Sequence, residues 1–68
     1  MDRFDLENAM TETWQTSDEI KLLCDHIINK DLEKEEIVNV LMGIYKLHEM
    51  RCEKAFDIFE NLIYEGNI

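Results

Sequence analysis

Three observations predict an all-α fold. The chain has no proline and only two glycines in 68 residues, Gly43 and Gly66, a composition poorly suited to a turn-rich β fold. Two long stretches repeat apolar residues at helical three- and four-residue spacing. A single short polar corner, Asn29-Lys30-Asp31, separates them. The expected architecture is an antiparallel two-helix hairpin in one domain covering residues 1–68, with helices over about 4–29 and 32–64 and the corner at 29–31.

In the first stretch, Leu6, Met10, Thr13, Ser17, Ile20, Cys24 and Ile27 alternate four- and three-residue steps, and Trp14, Leu23 and Ile28 widen the stripe. The stripe keeps its phase throughout, which favours one continuous helix from Phe4 to Asn29. Thr16-Ser17-Asp18-Glu19 matches a capping box, so a break near Thr16 is the alternative. In the second stretch, Asp31 is the expected N-cap, and Glu33, Glu35 and Glu36 place negative charge on the positive end of the helix dipole. Gly66-Asn67 is the expected stop. A helix of that span is about 50 Å long.

The second helix carries two apolar seams. One reads Val38, Leu41, Tyr45, His48, Cys52, Ala55, Phe59 and Leu62. The other reads Ile37, Val40, Ile44, Leu47, Arg51, Lys54 and Ile58. A helix that faces one neighbour needs an apolar stripe only a little wider than about 100°. One neighbour cannot cover both seams, so self-association is expected, as a homodimer or higher oligomer forming a four-helix bundle. Val40, Ile44, Leu47 and Ile58 are the expected contact residues. Small size points the same way, because a chain this short buries only about 60% of its unfolded surface.

Composition narrows function by exclusion. The apolar fraction of 46% beside 34% charged residues argues against disorder. The net charge of −9 opposes direct contact with nucleic-acid phosphates or anionic lipid. Residues 2–36 hold 11 acids against 4 bases, and the remainder holds 5 against 3, so the acidity is uneven. No apolar run reaches the roughly 18 residues that a membrane span needs. The charged opening of the chain does not resemble a signal peptide, so a cytoplasmic location is expected.

Candidate sites follow from residue type and spacing. Asp31, Glu33, Glu35 and Glu36 form an acidic corner that reads either as a solvated helix start or as a patch for a basic protein. Trp14, Tyr45, Phe56, Phe59 and Tyr64 recur at helical spacing and read first as core, with Trp14 against Leu47 and His48. Trp14 is also the candidate binding hot spot. Cys24 and Cys52 fall about four turns apart in a hairpin, too far for a disulfide, and are expected to be buried thiols. His48 and Cys52, four residues apart, offer two zinc ligands where three or four are needed. His48 is therefore expected at the core edge, hydrogen-bonded through one nitrogen. No metal, cofactor or catalytic residue is expected: no nucleophile has a base and orienter, and no glycine-rich loop could hold phosphate.

Phe4-Asp5-Leu6-Glu7, Trp14 with Ser17-Asp18-Glu19-Ile20, and Glu53-Lys54-Ala55-Phe56-Asp57-Ile58-Phe59-Glu60 together resemble small acidic helical proteins of T4-like bacteriophages. The resemblance covers most of the chain and implies a modulator or inhibitor of host machinery that acts by binding, in the host cytoplasm. The expected function is a non-catalytic, acidic protein-binding module. The alternatives are a nucleic-acid mimic that occupies a DNA- or RNA-binding groove, and an oligomer that sequesters a small nucleotide signal through Arg51 and Lys54.

Overall fold

Three helices account for nearly all of the chain in a computed structural model that describes residues 2–66: α1 (Arg3–Thr13), α2 (Gln15–Asn29) and α3 (Lys34–Glu65). The all-α class is as expected. α1 and α2 form one bent arm, and both pack on α3 in a helical hairpin.

Asp2 starts α1 with a reciprocal capping box that the sequence reading did not identify. Its Oδ1 accepts from the Asp5 N–H at 3.1 Å, and Asp5 Oδ2 accepts from the Asp2 N–H at 2.9 Å. The first arm is not continuous. It bends at Trp14 (φ −72°, ψ −15°), whose N–H donates to Thr11 O at 3.0 Å. Threonines explain the position of the bend. The Thr11 hydroxyl donates to Glu7 O and that of Thr13 to Met10 O, and such back-bonding bends helices. The expected capping box at Thr16 does not form, because Thr16 lies inside α2 and its hydroxyl meets His48.

The corner is longer than expected. Lys30 and Glu33 are both extended, and Glu33, not Asp31, is the N-cap of α3, without a side-chain hydrogen bond. Leu32 supplies the reason. It stays outside the helix and half-buried, two residues after the Lys30 N–H has closed α2 on His26 O at 2.8 Å. Leu32 and half-buried Ile37 occupy the two positions of a hydrophobic staple around the Glu33 cap. α3 then runs 32 residues, about 48 Å at 1.5 Å per residue. Gly66 ends it at φ 75°, a left-handed conformation that glycine adopts without a Cβ clash, and donates its N–H to Ile63 O. Asn67, the other half of the expected stop, lies outside the described residues.

The core is thin and falls into two parts. Ala9, Ile58 and Leu62 form one cluster, backed by Leu6 and Ala55, and Leu62 is fully buried. Leu23 and Ile44 are buried nearer the corner. A polar belt separates them. Arg51 Nη1 and Nη2 donate to the two oxygens of Glu19 at 2.7 and 3.1 Å, and Arg51 Nη1 also donates to Thr16 Oγ1 at 3.3 Å. Thr16 Oγ1 lies 2.6 Å from His48 Nδ1, and His48 Nε2 lies 3.5 Å from Cys52 Sγ.

The face of α3 turned to the first arm is neither expected seam. It takes Ile37, Ile44, Arg51 and Ile58 from one and His48, Ala55 and Leu62 from the other. Both thiols are exposed, not buried. All five aromatics expected in the core are exposed as well, from Phe59 at 39% to Tyr64 at 94%. Trp14, at 71% exposure, does not pack into the core as expected, and Thr16 takes the place beside His48.

Candidate protein-binding site

A cleft of about 350 Å³ opens where α2, the corner and α3 meet. Leu22, Leu23, Leu32, Val40 and Ile44 give it an apolar lining, and Glu19, His26 and Glu36 add polar groups. Each element has a distinct part. α2 brings Leu22 and Leu23, adjacent residues that turn about 100° apart, so one is buried in the hairpin while the other stays largely exposed. The extended corner lets Leu32 reach in. α3 presents Glu36, Val40 and Ile44 at four-residue intervals along one face.

The electrostatics are one-sided. The Arg51 guanidinium bonded to Glu19 holds that carboxyl below the usual glutamate range, so it stays ionised but already has its cation. Glu36 stands exposed in the lining, and Asp31, Glu33 and Glu35, all exposed, lie within five residues of it. Such a surface offers apolar depth with negative charge beside it and suits an apolar side chain carried on a basic segment.

Of the residues singled out from sequence, Glu36, Val40 and Ile44 line this cleft, while Asp31, Glu33 and Glu35 lie near it in the chain without lining it. Leu47 is exposed on α3. Ile44 and Ile58 are largely buried within the single chain, at 9% and 7% exposure, and Ile44 also lines the cleft. Trp14 lies at the bend and is not among the lining residues. Sequence reasoning missed Leu22, His26, Leu32 and the Glu19–Arg51 pair. Leu22 falls off the 4-3 stripe, and an apolar residue off the stripe was the available signal. Among the described residues, no three His, Cys, Asp or Glu side chains gather as metal ligands would. Nor is any described helix long and apolar enough to cross a membrane.

Fold and site define a class: a small acidic helical hairpin with a thin core and an apolar cleft beside its acidic corner. Compared with models of protein families, with curated proteins and with solved structures, the chain matches none.

Proposed function

We propose that the protein is a non-catalytic binding module whose corner cleft takes an apolar side chain from a basic helical segment of another protein. The carrying observation is the coincidence of apolar lining and an acid-rich corner at one place, with Glu36 belonging to both. The likeness to T4-like phage proteins makes a host protein the natural partner and modulation or inhibition by contact the natural outcome. Its place of action is then the host cytoplasm.

The two alternatives have less support. Nucleic-acid mimicry could draw on acids from both arms along the 51 Å length, but it leaves the apolar cleft without a role. Nucleotide capture needs free bases, and the two candidates are engaged within the chain, Arg51 with Glu19 and Lys54 with Glu12 at 2.9 Å.

Titration with an amphipathic helical peptide rich in lysine and leucine tests the reading. Saturable binding that weakens with salt, and that Val40→Asp and Glu36→Lys each reduce by roughly tenfold or more, is the expected result. Equal binding by those variants, or by a peptide with its lysines neutralised, would overturn it. Steep salt dependence with displacement by duplex DNA would favour mimicry instead.

A further inference from the structure

The chain exposes more surface than a folded monomer of its mass should. Its accessible surface is 5599 Å², whereas about 4,500 Å² is usual for a monomer of 8.2 kDa. The radius of gyration tells the same story, at 15.9 Å against about 11 Å for a compact domain of this length. The excess, about 1,000 Å², is close to the roughly 800 Å² that each partner contributes to a standard interface.

Six of the eighteen large apolar residues left exposed among the described residues share one face. At about 100° per residue, Val38, Leu41, Tyr45, Phe56, Phe59 and Ile63 fall on one flank of α3, turned roughly 60–120° from the seam that buries Ile44, Ile58 and Leu62. All six are exposed, between 39% and 58%. The other flank carries Val40 and Leu47 but also Glu36 and Lys54, with Glu12 reaching Lys54 from the first arm.

Two properties of the stripe single out what covers it. The first is charge. In a chain of net charge −9, a second copy is repelled wherever acids face acids. The stripe has no acid along its centre, and Glu49 at its edge is tied to Lys46 at 3.5 Å. The second is self-complementarity. The stripe runs from residue 38 to residue 63 and is centred near residue 50, with aliphatic residues toward both ends and an aromatic on each side of the middle. A two-fold axis through that centre sets Val38 against Ile63 of the second copy, Leu41 near Phe59 and Tyr45 against Phe56, each contact occurring twice, as an isologous interface requires.

We propose that this flank of α3 binds a second copy of the chain, α3 against α3 in opposite directions, crossing near residue 50. The four arms of the two hairpins then make the bundle, with Cys52 close to the axis. Cys24, level with about residue 43 of α3, stands roughly 20 Å along the helix direction from its copy. This face is separate from the corner cleft, so either assignment can fail alone.

Cross-linking in a background carrying Cys24→Ser and Cys52→Ser tests the proposal. Chains with Val38→Cys and chains with Ile63→Cys should form disulfide-linked dimers when mixed and not when each is alone. Light scattering on the unaltered chain should give twice 8.2 kDa, and Phe56→Glu should weaken the dimer by roughly tenfold or more while the helical dichroism persists. Salt should tighten the dimer by screening like charges, the opposite of its effect on a basic partner. A monomer at micromolar concentration overturns the proposal, as does cross-linking of the Val38→Cys chain with itself. A dimer that survives Phe56→Glu and dissociates with Leu47→Glu overturns the choice of face. Should Phe56→Glu unfold the chain, the mixed cross-link decides alone.

Discussion

Arg51 of α3 and Glu19 of α2 meet fork to fork, Nη1 on Oε1 at 2.7 Å and Nη2 on Oε2 at 3.1 Å, although 32 residues separate them. Both side chains are largely covered, with 16% and 32% of their surface remaining. The pair sits between the two apolar clusters and ties α2 to α3 at mid-length. Two parallel hydrogen bonds fix orientation as well as distance, which lysine in place of arginine could not do.

Acid should loosen this tie. The bond to Arg51 depresses the Glu19 pKa in the folded chain below the unfolded value of about 4.3. A depressed carboxyl contributes stability that is fully present above the unfolded pKa and is lost as pH falls through the folded one. Glu19→Gln should therefore lower the melting temperature at pH 7, and the difference from the unaltered chain should shrink as pH drops below about 4.3. Thermal melts across that range, followed by circular dichroism, check it. An undiminished gap in acid would show that the charge on Glu19 is not what matters.

Leu62, fully buried beside Ala9 and Ile58, anchors the larger core cluster. Leu62→Ala should cost about 2–4 kcal/mol through lost burial and the cavity left behind. Tyr64→Ala, two residues on and almost wholly exposed, should stay within about 0.5 kcal/mol. Urea titration of the two variants gives the comparison.

The two glycines should respond in opposite directions. A Cβ at Gly43 meets nothing within 4 Å, so Gly43→Ala should stabilise α3 by about 1 kcal/mol. Gly66 sits at φ 75°, where a Cβ is strained, so Gly66→Ala should destabilise by about 1 kcal/mol. Melting temperatures moving the same way for both would contradict these backbone conformations.

Asp2→Ala removes one half of the capping box that starts α1 and should cost about 1 kcal/mol. The loss should be local. Amide exchange should quicken over the first turn of α1 and remain slow around Leu62. Uniform quickening along the chain would mean that the cap supports the whole hairpin.

Local physics was legible in the sequence, and docking was not. Helical spacing, the absence of proline and Gly66 as a stop depend on near neighbours, and they were read correctly. Asp31 was misread as a cap because a residue's capping preference says nothing of where the next side chain can bury itself, and Leu32 settles the matter by staying outside the helix. The seam of α3 was misplaced for a related reason. Two apolar seams were visible, but which meridian faces the first arm depends on contacts such as Glu19 with Arg51 and Thr16 with His48, across more than 30 residues. The acidic corner was visible as composition. The cleft beside it was not, since it needs Leu22 and Leu32 brought together by that docking.

Trp14, the chain's one tryptophan, stands 71% exposed at the bend of the first arm. The hairpin therefore carries a single indole fluorophore, distinguishable by its excitation from Tyr45 and Tyr64, at a place where folding alone leaves it wet. Its emission in the isolated hairpin should be red-shifted and open to quenching by neutral acrylamide, while the net charge of −9 disfavours approach of iodide. Any event that covers the bend should move that spectrum to the blue without a label being attached. A blue shift would thus mark contact at the bend, a place apart from the corner cleft.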